Sequence, residues 1–157
     1  MTGTLRAVAV PVVARMLREA FDGPPGPWTY FTEAAPGVGV FTTLNGVTAA
    51  QASEPGGPSQ STIAGHVHHL CSSISLSTRE LDGESPPRDR GQSWNVARVN
   101  DAEWTALRAR LRDEYQKLLR AVETRALWDE DTLGMAMGSV AHTAYHLGAI
   151  RQRLRAP

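Results

Sequence analysis

Four stretches of about twenty residues, each with apolar side chains at helical spacing, constrain the fold of this chain more than any other feature. The clearest stretch begins at Asn100, which forms a capping-box pattern with Glu103. Apolar side chains then recur every three or four positions: Trp104, Leu107, Leu111, Tyr115, Leu118 and Val122. The only β-rich run, VGVFTTL, stands alone. The pattern predicts an all-α protein.

Three further helices are predicted. The first covers residues 5–21, with one apolar face made of Leu5, Val8, Val12, Met16 and Ala20. Pro11 is expected to kink this helix or to mark the first turn of one that starts later. The second covers residues 62–81 and is expected to be capped by Ser59 or Ser61. Its buried stripe consists of Ile63, Val67, Leu70, Ile74 and Leu81.

The fourth predicted helix covers residues 131–154 and completes a set that suits a four-helix bundle. A chain of 157 residues is the size of one domain, so residues 1–157 are interpreted as a single bundle domain. The connection at residues 23–61 is rich in Gly, Pro, Ser and Thr, and only a short helix at residues 41–51 is expected inside it. A loop of this length often shapes a functional site.

Charge and composition exclude several classes of partner. The 16 basic and 16 acidic residues balance and form no basic patch, which argues against nucleic acid. The apolar run AVAVPVVA is too short to span a membrane and no signal-peptide cleavage site follows it. The single Cys71 rules out an internal disulfide and suits a reducing compartment. These features predict a cytoplasmic protein.

All five histidines lie in two short segments. His142 and His146 are one turn apart on the fourth helix, so they share a face. Apolar residues also lie on the opposite face of this helix, which indicates that the histidines point inward. On the second helix the periodicity places His68 opposite the buried stripe, in solvent. It keeps both His66 and His69 as candidates for the interior.

Several buried imidazoles favour a metal site, because without a metal their nitrogens need other partners. An isolated histidine pair of this spacing is more often a core or surface pair, and the second cluster raises the odds of a site. The HTAYH segment lacks the glutamate of a zincin-type peptidase. Di-iron bundles require Glu-x-x-His pairs, and no glutamate lies three residues before any of the candidates. A mononuclear site remains, with one histidine from the second helix and two from the fourth.

The segments TIAGHVHHLCSSISL and GSVAHTAYHLGAIRQ, together with the QSW loop, resemble the DinB/YfiT-like superfamily of metalloenzymes over most of the chain. The resemblance implies a four-helix bundle that holds one divalent metal, zinc or nickel first and iron or manganese as alternatives. By position it implies His69, His142 and His146 as the ligands. His66 is the fallback ligand or supports the ligands from outside, and His68 lies on the surface.

The resemblance also implies a function: S-transfer or isomerisation that uses a small thiol such as bacillithiol or mycothiol, in a homodimer. A metal-dependent hydrolase and a non-enzymatic, stress-related metal-binding protein are the alternatives. No catalytic residue is assigned. Helix geometry places Tyr145 and Arg151 near the site, but a core tyrosine and a solvated arginine are the favoured interpretations. Trp94 is interpreted as a packing anchor, with the mouth of the pocket as the alternative.

Overall fold

In this computed structural model the described part of the chain comprises residues 2–57, 59–89 and 91–155, with side chains from residue 6 onward, and 66% of the chain is helical. Over these residues the protein is all-helical and has no strand. The helices are α1 (Thr2–Asp22), α2 (Val40–Thr43), α3 (Ala49–Ala52), α4 (Ile63–Leu81), α5 (Asp101–Thr124) and α6 (Glu130–Arg155). A short 3-10 helix, Gln92–Trp94, lies between α4 and α5.

The four long helices pack so that each contacts two of the others. Helix α4 lies against α5 and α6, and α1 lies against the same two helices. The core between them contains fully buried large side chains from every long helix; among them are Leu17, Phe21, Leu70, Ile74, Leu111, Leu118 and Ile150. No helix within the described ranges combines the length and the apolarity that crossing a membrane requires.

The predicted faces of α4 and α5 are confirmed, since every residue of both apolar stripes is buried. The capping box of α5 is also present: the Asn100 side chain accepts the Glu103 N–H, and the Glu103 carboxylate accepts the Asn100 N–H, both at 2.9 Å. The predicted cap of α4 is wrong. Thr62 caps this helix by accepting the Gly65 N–H at 3.0 Å, because the helix begins directly after it.

The predicted face of α1 is wrong at Val8 and Val12, whereas Ala20 is buried and Met16 packs, half-buried, against the core. Val8 and Val12 are 64% and 37% exposed, and the buried side of α1 is formed instead by Ala9, Val13, Ala14, Leu17, Ala20 and Phe21. The reason is that the AVAVPVVA run is apolar all round, so periodicity alone does not select a face. The Leu5 side chain lies outside the described residues. Pro11 lies inside the helix, well past its first turn.

The connection between α1 and α4 carries two one-turn helices, α2 and α3, where a single short helix was predicted. They are separated by a turn in which Gly46 adopts a positive φ of 80°, a conformation that interrupts a helix. Gly39, before α2, lies so close to α1 that an added Cβ would be 2.4 Å from the backbone nitrogen of Gly23. Glycine at this position therefore lets the connection fold back onto the end of α1.

Polar side chains fix the same connection onto the long helices. The buried Glu19 carboxylate accepts the backbone N–H groups of Tyr30, Phe31 and Thr32 at 2.7–2.9 Å. On α6, near its C-terminal end, Arg151 donates to both carboxylate oxygens of Glu33, at 2.6 and 3.0 Å. Residues 30–33 are thus held between α1 and α6.

Candidate metal centre

Three imidazole nitrogens converge between α4 and α6. The Nε2 atom of His142 lies 3.1 Å from Nε2 of His69 and 3.0 Å from Nε2 of His146. The three candidate ligand atoms all lie within 4.8 Å of one another. A tetrahedral zinc site with Zn–N bonds of about 2.0–2.1 Å separates its nitrogens by about 3.3 Å. The donor set and its spacing therefore fit one divalent metal ion.

The convergence follows from local sequence and helix packing. His142 and His146 are one turn apart on α6, so their rings meet, edge to face, with centroids 4.5 Å apart and an interplanar angle of 88°. Helix α4 packs on this part of α6 and brings the ring of His69 to 5.0 Å from each of them. His146 is fully buried, whereas His69 and His142 are half-buried. The cluster therefore lies at the edge of the core with one side toward solvent.

Each ring of the cluster has a hydrogen-bond partner on its outer nitrogen. The Nδ1 atom of His69 lies 3.0 Å from Ser93 Oγ, and that of His142 lies 3.1 Å from Ser73 Oγ. The Nδ1 atom of His146 lies 2.8 Å from Nδ1 of His66. With the proton on Nδ1, each ring donates outward and directs the lone pair of Nε2 into the cluster. Outer partners of this kind orient metal-binding histidines.

His66 lies behind the cluster, and its outer nitrogen faces away from it. Only 6% of His66 is exposed, and its Nε2 lies 3.1 Å from Ser61 Oγ. Periodicity left His66 and His69 as alternatives, and the structure places His69 with the α6 pair and His66 behind His146. The expectation that His68 is a solvated surface residue is wrong. His68 is half-buried, with Nδ1 3.1 Å from the Ser93 carbonyl oxygen, because the 3-10 helix covers that side of α4.

Burial keeps these imidazoles neutral. Desolvation, assisted by the neighbouring imidazoles, lowers the pKa of His146 to about 3 and that of His69 to about 4. Burial also lowers the pKa values of His66 and His142. At neutral pH the rings consequently carry lone pairs rather than second protons, as metal ligation requires.

Trp94 covers one side of the cluster. Its ring stacks on His69, with centroids 4.3 Å apart and an interplanar angle of 18°, and it meets the edge of His66 at 5.3 Å. Trp94 is 40% exposed, so it packs against the histidines and borders solvent at the same time. Gly65 lies under the same connection, since an added Cβ would be only 3.2 Å from the Val96 carbonyl oxygen and would be in ordinary contact, at 3.7 Å, with the Trp94 ring.

The two other residues that helix geometry placed near the site have different surroundings. Tyr145 is 68% exposed, so its interpretation as a core tyrosine is wrong; its ring meets His146 at 5.0 Å. Arg151 is not a solvated helix-end residue, because its guanidinium is paired with Glu33. Arg151 therefore anchors residues 30–33 and does not contact the cluster.

Two adjoining cavities lie beside the cluster. One, of about 440 Å³, is bounded by His69, His142, Trp94 and the small side of α6 at Gly138 and Ser139. The other, of about 470 Å³, continues from His69 along α4 toward α5. Both volumes suit a small-molecule ligand. Ser73 and Ser93, which line both cavities, were not singled out by the sequence; Ser73 follows His69 by one turn, a spacing that could have identified it.

Fold and site together define an all-helical protein with three histidines close enough to hold one divalent metal. Comparison of the chain with protein-family models, with curated proteins and with solved structures found no match in any of the three.

Proposed function

We propose that this protein binds one divalent transition metal through His69, His142 and His146 and uses it to activate a small molecule. The observation that carries the proposal is the convergence of three Nε2 atoms, with that of His142 3.1 and 3.0 Å from those of His69 and His146. Each of these atoms belongs to a ring whose Nδ1 atom has an outer hydrogen-bond partner. Three protein ligands leave a coordination position open, as catalytic metal sites do.

The donor set also indicates the kind of chemistry. No carboxylate joins the three histidines in the cluster formed by the described residues. Since neutral imidazoles leave the charge of a divalent ion uncompensated, the bound metal would lower the pKa of a coordinated thiol or water. Imidazole ligands suit zinc, nickel and iron. Zinc and nickel are the first choices here.

We further propose that the chain is a DinB/YfiT-like four-helix bundle and that the activated molecule is a small thiol, which attacks an electrophile held beside it. The mutual packing of α1, α4, α5 and α6 supports the bundle. The positions of the histidines on α4 and α6 support the resemblance. A homodimer belongs to the same proposal, and sedimentation equilibrium tests it.

Elemental mass spectrometry on tag-free protein tests the metal site. We expect about one zinc or nickel ion per chain in the wild type, and less than a tenth of that in His69→Ala and in His142→Ala. His68→Ala is the matched control, because His68 lies beside His69 but outside the cluster, and it should retain the metal. Circular dichroism checks that each variant is folded. A wild-type protein that takes up none of zinc, nickel, iron and manganese would contradict the proposal.

Turnover assays then test the thiol. We expect metal-loaded protein to accelerate the S-alkylation of bacillithiol or mycothiol by a simple electrophile, and His142→Ala to lack this activity. If the metal-loaded protein instead accelerates hydrolysis of the electrophile without any thiol, the site belongs to a hydrolase.

A further inference from the structure

Among the described residues that line the cavity of about 470 Å³ beside His69, arginines outnumber carboxylates. The walls of this cavity come from α4, from the connection at residues 83–100 and from α5. Three guanidinium groups line it, those of Arg79, Arg88 and Arg110, whereas Asp89 is the only lining carboxylate among the described residues. Like charges in a concave site focus their field and attract ions of the opposite sign.

The one lining carboxylate is already engaged. Asp89 accepts the backbone N–H groups of Gly91 and Gln92 at 3.0 and 3.1 Å, which forms the turn before the 3-10 helix. It makes no ion pair with any arginine within the described ranges. The Asp89 carboxylate therefore shapes the cavity wall, and the two N–H dipoles offset part of its negative charge.

The arginines remain available to a ligand. Arg79 pairs with Glu84 in an exposed ion pair, and pairs of this kind contribute little free energy, so a ligand anion can compete for Arg79. The partner of Arg88, Glu80, is only 14% exposed and accepts from both Nε and Nη2 of Arg88. Arg88 itself is 61% exposed, so its guanidinium is accessible to an anion from solvent. Arg110 makes no ion pair with any carboxylate in the part of the chain that the structure describes. Arginine's planar fork matches the geometry of carboxylate and phosphate oxygens.

The charged cavity is continuous with the histidine cluster. His69, Ser73, Arg88 and Ser93 line both this cavity and the neighbouring one of about 440 Å³ that reaches His142. A molecule held by the arginines consequently has a path to the Nε2 atoms of the cluster. Leu76 and Pro87 add apolar surface to the same walls, on which a carbon skeleton can pack.

We infer that this cavity binds the carboxylate or phosphate group of a small anionic substrate, whose reacting end then reaches the three-histidine site. The inference rests on the proposed function, since it supplies the substrate class of that site. The cavity volume suits a small molecule, and three arginines converge on it from α4, the connection and α5.

Titrations followed by ¹H–¹⁵N NMR at fixed ionic strength test the inference. The probes are succinate, inorganic phosphate and the neutral succinamide. We expect succinate or phosphate to shift the amide signals of residues 72–76 and 92–95, and succinamide to shift none of them. The anion that binds with the higher affinity indicates whether the substrate's anionic group is a carboxylate or a phosphate. Arg88→Gln and Arg110→Gln should each weaken anion binding about tenfold.

Arg112→Gln is the matched control, because Arg112 lies on the same helix as Arg110 but covers the ring of Phe41. It should bind the anions as the wild type does. Equal affinity of wild type, Arg88→Gln and Arg110→Gln, or equal binding of succinamide, would overturn the inference.

A metal-free variant separates this inference from the proposed function. His142 lies outside the charged cavity, so His142→Ala should lose the metal and retain anion binding. If anions bind only to the metal-loaded wild type, they coordinate the metal and the arginine site is overturned. If the wild type binds no metal but binds anions through Arg88 and Arg110, the proposed metal chemistry fails and the anion site stands.

Discussion

At the scale of single residues, His66 supports the histidine cluster although it is not one of the three proposed ligands. Its Nδ1 lies 2.8 Å from Nδ1 of His146, and its Nε2 lies 3.1 Å from Ser61 Oγ. When His66 accepts the His146 proton on Nδ1, it donates its own Nε2 proton to Ser61. This chain of hydrogen bonds keeps the Nε2 lone pair of His146 pointed at the metal position.

Replacing His66 with phenylalanine should therefore weaken metal binding while leaving all three ligands in place. A flat aromatic ring, slightly larger than imidazole, is kept, but the buried Nδ1–H of His146 loses its acceptor. We expect the zinc affinity to fall by about 10–100-fold, the usual effect of removing such a partner. Competition with a chromogenic chelator measures the affinity, and His68→Phe is the control. Unchanged affinity in His66→Phe would show that His146 is oriented by packing alone.

The residue pattern predicted one part of this site, the pairing of His142 with His146, and left the third histidine open. Periodicity showed that His142 and His146 share a face, because one helix determines their relation. It did not separate His66 from His69, since both lie on the same side of α4. The separation depends on how α4 packs against α6, which brings the ring of His69 to 5.0 Å from both His142 and His146. The periodicity of one helix does not predict where another helix packs on it.

At the scale of elements, Glu19 joins α1 to the connection that follows it. Three backbone N–H groups and the Thr32 hydroxyl donate to its carboxylate, which is 1% exposed. Burial acts to raise the pKa of Glu19, but these hydrogen bonds outweigh it and hold the pKa below its usual value. The ionised carboxylate is therefore the form that the folded protein stabilises.

Glu19→Gln should lower the free energy of unfolding at neutral pH by about 1–3 kcal/mol. The NH₂ group of the glutamine would stand where Oε2 now accepts the Tyr30 N–H, so two donors would face each other. Since the folded pKa lies below the unfolded one, the contribution of Glu19 is complete above about pH 5 and is lost as the pH falls through the folded pKa. Urea unfolding at pH 7, 5, 4 and 3 measures it. The difference in the free energy of unfolding between wild type and Glu19→Gln should shrink toward pH 3.

The exposed Glu54 provides the control, and Glu54→Gln should follow the wild type at every pH. If Glu19→Gln lowers the free energy of unfolding by the same amount from pH 7 to pH 3, the ionisation of Glu19 does not contribute to the stability of the fold.

Elements differed in how well the sequence predicted them. The stripes of α4 and α5 alternate clearly between apolar and polar residues, and both were predicted correctly. Helix α1 has too little polar contrast, so its buried face was assigned to Val8 and Val12 instead of Val13 and Leu17. The split into α2 and α3 occurs at the turn of Gly46, and the way the connection folds back onto α1 depends on the close approach of Gly39 to Gly23, a tertiary contact that a local pattern does not contain.

At the scale of the whole molecule, the histidine cluster ties together two helices that are distant in the chain. His69 belongs to α4, and His142 and His146 belong to α6, with α5 between them in sequence. A ligand bound by all three contacts both helices at once and binds the folded state in preference to the unfolded chain. Metal binding is thereby coupled to the stability of the fold.

Zinc should consequently raise the melting temperature of the wild type. At a free zinc concentration one hundred times the dissociation constant, the folded state gains about 2.7 kcal/mol, which corresponds to about 5–10 °C for a chain of this size. Chelation with EDTA should reverse the shift. Differential scanning calorimetry of wild type, His68→Ala and His142→Ala makes the comparison, and only His142→Ala should lose the shift. An equal shift in His142→Ala would mean that zinc stabilises the protein at another position, because two histidines on separate helices do not replace a three-nitrogen site.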